Sequence, residues 1–134
     1  MKPDIGKSDK TLQSEELFIN TFGCSKCRKT PKTGTDYAKL PFENLKVLYD
    51  TSHHSFYYSK CKYCHQPYLQ EFRDEIDWLE GDDPMWSYWM PLRAKECGLL
   101  NQDDVDLEDI ETLMRKRTFL INEYKKESIF FWSE

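Results

Sequence analysis

Two cysteine pairs constrain this chain more than any other feature of it. Cys24-Ser-Lys-Cys27 and Cys61-Lys-Tyr-Cys64 share the Cys-x-x-Cys spacing, and residues 28–60, 33 in number, lie between them. Two residues between cysteines let both sulfurs of one tight turn reach a single ion, and two such turns complete a tetrahedral shell with Zn–S distances of about 2.3 Å. The expectation is one structural Zn²⁺ held by Cys24, Cys27, Cys61 and Cys64. Four thiolates around Zn²⁺ carry a net charge of −2. Lys26, Arg28, Lys29, Lys60 and Lys62 sit in or beside the two turns, where they offset that charge and favour the thiolate form.

The chain around the pairs reads as a mixture of strands and short helices. Residues 1–14 are polar and are expected to form a flexible arm, leaving 15–134 as one domain. Glu16 to Phe22 has β-branched and aromatic residues that fit a short strand running into Gly23 and Cys24. Lys29-Thr-Pro-Lys-Thr-Gly-Thr35 is an exposed loop. Pro41 to Tyr49 has apolar residues at 42, 45, 48 and 49, which suits a helix, while Val47 and Tyr49 also permit a strand. Ser55 to Phe72 reads as a β-hairpin with a Cys-x-x-Cys at its tip, its second strand continuing through Ile76 and Trp78 until Glu80-Gly-Asp-Asp-Pro84 stops it.

Beyond that turn come an aromatic cluster and two helices. Pro91 to Leu100 suggests a short helix opened by its proline, and Asp106 caps a second whose apolar face is Leu107, Ile110, Leu113, Met114 and Arg117, ending at Thr118 or at Tyr124. Ser128 to Ser133 is a closing strand. The fold class expected is therefore α+β, with cysteine-clamped β-hairpins and a C-terminal half of short helices and a closing strand.

With both pairs placed at turns between strands, the construction resembles the zinc-ribbon class, in which two cysteine knuckles at hairpin tips clasp one structural zinc. The resemblance rests on Phe18 to Cys27 and Phe56 to Phe72. Such knuckles often place glycine directly after the second cysteine, where this chain has Arg28 and His65. A non-glycine residue occupies the left-handed region there at a cost of about 1 kcal/mol. A rubredoxin-like iron site, a redox dithiol and ligand-free thiols are the alternatives. A redox Cys-x-x-Cys normally opens a helix, and a catalytic zinc needs an open position that four thiolates do not leave.

Composition places the chain in a class without naming a partner. Its 134 residues are 39% hydrophobic, 32% charged and 15% aromatic, so a core requires the rings inside. Trp78, Trp86, Tyr88 and Trp89 are accordingly read as core. No apolar run approaches the ~20 residues of a membrane span and no signal-peptide core is present at the N-terminus, so the expectation is a cytoplasmic protein with no membrane contact. Five cysteines in a reducing compartment fit metal ligation better than disulfides, and Cys97, unpaired in sequence, reads as a buried small hydrophobe. His65 is expected to be a knuckle residue whose N–H bonds a thiolate, with ligation the alternative. His53 and His54 read as exposed loop residues.

Three function classes follow. Residues 1–67 carry 11 Lys/Arg against 7 Asp/Glu, a charge of +4, and residues 68–134 carry 8 against 17, a charge of −9. The first class is a non-enzymatic protein-interaction module whose acidic C-terminal half, notably Asp74 to Asp83 and Asp103 to Glu111, docks a basic protein surface. In general style it is similar to bacterial immunity-type proteins that neutralise toxins. The second is a nucleic-acid-binding ribbon using Lys26, Arg28, Lys29, Lys32, Lys60 and Lys62 with Tyr57, Tyr58 and Tyr63 for stacking, although the overall pI near 5.3 opposes it. The third is an enzyme, for which no nucleophile turn, phosphate-cradling loop or open metal triad is present. The expectation is a protein that is not an enzyme, of unassigned oligomeric state.

Overall fold

The computed structural model describes residues 17–35, 37–75, 84–103, 105–117, 120–124 and 128–132. Six strands form one antiparallel sheet in which spatial order equals chain order. They are β1 (Phe42–Asp50), β2 (His54–Cys61), β3 (Pro67–Asp74), β4 (Met85–Pro91), β5 (Leu120–Tyr124) and β6 (Ser128–Trp132). Among the described residues three α-helical segments accompany them, α1 (residues 17–21), α2 (Ala94–Leu100) and α3 (Leu107–Met114), with a 3-10 turn at Tyr37–Lys39. The α+β class, the hairpin from β2 to β3 and the closing strand β6 are as expected. The N-terminal arm, 1–14, lies outside the described residues.

Successive side chains of the middle strands serve opposite faces of the sheet, as the two-residue period of a strand requires. Tyr68 and Trp89 join Phe22, Cys27, Leu40, Cys61, Leu120 and Phe130 on one face. Their neighbours Leu69 and Met90 join Phe56, Leu92 and the helix residues Leu100, Ile110, Leu113 and Met114 on the other. With one face packed on α2 and α3 and the other on α1 and the first cysteine turn, the middle strands are apolar on both sides. Burial of each large side chain contributes roughly 1.5–3 kcal/mol. This is how a chain lean in aliphatic residues supports two cores.

Four expectations need correction. Residues 17–21 are helical rather than a strand. A strand would aim Asn20 the same way as Phe18 and Phe22, whereas a helical turn stacks the two phenylalanines alone, with ring centroids 5.7 Å apart and the Phe22 N–H bonded to the Phe18 carbonyl at 2.8 Å. Pro91 does not open a helix. It ends β4 opposite Tyr68, and α2 begins three residues later. The second strand of the hairpin stops at Asp74, while Ile76 and Trp78 lie outside the described residues. Helix α3 stops at Met114, short of both Thr118 and Tyr124, because the next two N–H groups turn back to the carbonyls of Thr112 and Leu113 at 3.3 and 3.0 Å.

The undecided segment 41–49 is β1, and its ambiguity has a cause. Two β-bulges, between Asn44 and Lys46 and between Val47 and Tyr49, break the two-residue period. Phe42 packs on the cysteine face, Leu48 and Tyr49 on the helical face, and Leu45 and Val47 stay exposed.

Arg117, expected on the face of α3, instead sits beyond its end and ties three elements together. Its guanidinium donates to both carboxylate oxygens of Glu96, at 2.6 and 2.8 Å, and to the Pro91 carbonyl at 2.9 Å. Glu96 also accepts the Arg93 N–H at 2.8 Å, closing the first turn of α2. Burial raises the Glu96 carboxyl, but Arg117 and the Arg93 N–H outweigh it and hold the group below the usual carboxylate range. A group depressed in this way gives stability that is complete above the unfolded value of about 4.3 and is lost as pH falls through the folded value. Arg117→Met leaves Glu96 buried and uncompensated. It is expected to lower the unfolding free energy by roughly 3–5 kcal/mol in urea titrations at neutral pH. The Glu96→Met, Arg117→Met double variant should cost clearly less than the sum of the single changes.

Candidate metal centre

The first cysteine turn hangs from α1. After Phe22 the chain enters the left-handed region at Gly23, with φ +68°. A Cβ at this position would stand 2.5 Å from the Cys27 sulfur, so only glycine leaves room for it. The turn then folds on itself: the Cys24 N–H points at the Cys27 sulfur at 3.2 Å, and the Arg28 N–H bonds the Cys24 carbonyl at 3.0 Å.

The second turn is the tip of the β2–β3 hairpin. Cys61 closes β2, its N–H bonds the Gln66 carbonyl at 2.9 Å, and the Tyr63 N–H reaches its sulfur at 3.4 Å. His65 takes the left-handed conformation, φ +66°, that glycine usually supplies after a knuckle. The expectation for its N–H is corrected here, because it bonds the Cys61 carbonyl, at 3.1 Å, rather than a thiolate. The zinc-ribbon resemblance is met in part only. One knuckle is a hairpin tip, and the other follows a helical turn.

The two turns bring four sulfurs together. Cys24 to Cys61 and Cys27 to Cys64 are each 3.8 Å, Cys24 to Cys27 is 4.0 Å, and all four lie within 4.8 Å of one another. A regular tetrahedron of ligands about 2.3 Å from a central ion has edges of about 3.8 Å. A disulfide would need about 2.05 Å, and all five cysteines are free. Cys27 and Cys61 are fully buried, whereas Cys64 faces solvent. The backbone N–H of Cys27 draws the Cys24 thiol down to about 7, while burial pushes Cys27 up and Cys64 up to about 12. One sulfur ionises readily and its neighbours resist. A divalent cation removes that conflict, so the donor set fits a thiolate-bound metal ion.

Other contacts lock the turns to each other. Gln66 accepts the Gly23 N–H at 3.3 Å and donates to the carbonyls of Pro67 and Leu92 at 2.9 and 2.8 Å. The Lys26 ammonium lies 4.1 Å from the centre of the Tyr63 ring, one turn over the other. Arg28 lies 4.7 Å from the Phe22 ring and donates to the Asn20 carbonyl at 2.6 Å, and Lys60 is 3.6 Å from Glu43. Beneath the site Tyr68 packs edge-on against Phe22 and Phe42, and Phe42 stacks on Trp89. Gln66 and Tyr68 were not legible as site residues. Their one signal is position, directly after the second turn.

The remaining candidates fall elsewhere. Cys97 is half-buried against the helical core beside Tyr58, consistent with filler. His53 is exposed and bonds Asp74 at 2.6 Å. His54 is a correction: it is the half-buried first residue of β2 and bonds Glu71 at 2.7 Å, because strand pairing carries it over β3. Trp89 is in the core, Trp86 and Tyr88 line a cleft on the helical face, and Trp78 lies outside the described residues. Comparison with protein-family models, with curated proteins and with solved structures gave no match to this chain.

Gly23→Ala is expected to weaken zinc binding at least tenfold in competition with a chromophoric chelator. The left-handed backbone costs about 1–2 kcal/mol and the added methyl meets the Cys27 sulfur. Gly34→Ala is the control. It shares a positive φ, +86°, but meets no atom within 4 Å, so it should lose stability without changing zinc affinity.

Proposed function

We propose that this chain is a non-enzymatic zinc-binding protein in which Cys24, Cys27, Cys61 and Cys64 hold one structural Zn²⁺. The observation that carries the reading is the 3.8–4.0 Å sulfur spacing on two turns from distant parts of the sequence. Bound there, the ion supplies a cross-link and no chemistry of its own, because four thiolates close its shell to water and substrate. The residues around the site serve the same end. Gly23 makes room, Gln66 joins the turns, and backbone N–H groups point at sulfur.

The zinc-clamped fold acts as a docking module for a basic protein surface, through its acidic C-terminal half and in the cytoplasm. Support comes from a cleft of about 460 Å³ where the ends of β2, β3 and β4 meet α3. Trp86 and Tyr88 line it together with Asp74, Glu75 and Glu111, with Arg73 and His53, itself bonded to Asp74, at the same cleft. Carboxylates beside aromatic rings are the surroundings that a lysine or arginine side chain prefers. Asp103, Asp106, Glu108 and Asp109 extend the negative surface along α3 and its approach.

The nucleic-acid reading is the second choice. It has the basic loop in its favour, with Lys29 and Lys32 exposed. Against it, Lys26 and Arg28 are spent on Tyr63 and Phe22, Lys60 faces Glu43, and Tyr58 packs into the helical core.

Binding of a lysine- and arginine-rich peptide and of a single-stranded oligonucleotide, each titrated against salt, separates the two. The docking reading expects the peptide to bind, to weaken with salt, and to lose most of its affinity in Glu75→Lys, Glu111→Lys protein, with no retention of the oligonucleotide. Oligonucleotide binding without peptide binding would reverse the assignment. A strong chelator should also lower the urea midpoint of the protein markedly if the clamp is structural.

A further inference from the structure

Tyr68, the second residue of β3, is wholly buried, and its hydroxyl has no hydrogen-bond partner. Its ring packs edge-on against Phe22 and Phe42, and its hydroxyl lies beside the metal centre. The Cβ position that Gly23 leaves empty is 3.3 Å from the Tyr68 oxygen and 2.5 Å from the Cys27 sulfur, so the two atoms flank the same small space, and the sulfur is the polar atom the hydroxyl faces.

A thiol sulfur is a poor acceptor, and a buried hydroxyl facing one is left short of a bond. A thiolate sulfur carries charge and accepts hydrogen bonds about twice as strongly. Cys27 is fully buried, so no solvent stands in for the tyrosine, in contrast to solvent-facing Cys64. The same hydroxyl is thus a defect beside the thiol and a partner beside the thiolate.

We propose that Tyr68 is a positioning residue of the metal centre: its buried hydroxyl donates a hydrogen bond to the metal-bound thiolate of Cys27 and so couples the central strand of the sheet to metal loading. The inference rests on the reading of the four cysteines as a zinc site and adds to it a side-chain donor from outside the two turns.

Tyr68→Phe tests it, since the ring and its packing are kept and the oxygen alone is removed. Four quantities are compared between wild type and variant: the urea midpoints of the metal-free and of the zinc-bound protein, the zinc affinity by chelator competition, and the sulfur-to-metal charge-transfer band of the Co²⁺-substituted protein. The expected result is a metal-free midpoint unchanged or raised, a zinc affinity lowered about tenfold, and a band shifted to lower energy, because the thiolate has lost a donor. Tyr124→Phe, at an exposed ring on β5, should leave all of them unchanged. Zinc affinity and band position equal to wild type in Tyr68→Phe would overturn the proposal while leaving the zinc site intact. A metal-free midpoint that falls as far as the zinc-bound one would overturn it too, showing a packing role alone. Wild-type protein that binds neither Zn²⁺ nor Co²⁺ would instead remove the zinc site itself, and this proposal with it.

Discussion

The meeting of four sulfur atoms is the constraint around which one face of the sheet is arranged. Cys24 and Cys27 come from a loop after a helical turn, and Cys61 and Cys64 from a hairpin tip separated from it by 33 residues, yet all four sulfurs lie within 4.8 Å of one another. Bringing such distant turns together costs loop-closure entropy that grows slowly with length. Aliphatic contact does little to repay it here, because the surrounding residues are mostly aromatic rings and cysteines. A metal ion held by these four cysteines would supply free energy directly, since binding to a site absent in the unfolded chain is folding free energy.

The other face solves a different problem with ordinary means. Helices α2 and α3 lie between β4 and β5 in the chain, and their apolar residues cover Phe56, Leu69 and Met90. What fixes the excursion is polar: Arg117, just past α3, reaches back to Glu96 on α2 and to the carbonyl of Pro91 at the end of β4. A buried ion pair of this kind sets geometry more than it adds stability, because its partners give up their hydration to form it. The protein thus has one clamp on each face of a single sheet, sulfur on one side and guanidinium–carboxylate on the other. The cleft lined by Trp86 and Tyr88 opens at the end of the sheet away from the cysteine turns.

How much of this was legible in the sequence depended on whether the signal was local. The cysteine spacing, the β2–β3 hairpin and the closing strand are each carried by adjacent residues, and the sequence reading placed them correctly. Segment 41–49 was ambiguous because two bulges erase the period on which a strand is recognised. Residues 17–21 were misread because Phe18 and Phe22 have strand-like neighbours, and their helical turn answers to Tyr68 and Trp132, which lie far along the chain. Helix α3 ends where the Arg115 and Lys116 N–H groups turn back to Thr112 and Leu113, and the role of Arg117 beyond it depends on Glu96, 21 residues away, which no pattern within the helix announces. Gln66 and Tyr68 belong to the same class. Their roles exist only once the hairpin is folded against the first turn.

The most direct test of this account is zinc K-edge X-ray absorption on protein purified without added metal, with the metal quantified on the same sample. The account predicts one zinc per chain with four sulfur neighbours at about 2.3 Å and no nitrogen or oxygen ligand. A protein free of zinc, or one whose zinc carries nitrogen or oxygen in place of sulfur, would contradict it.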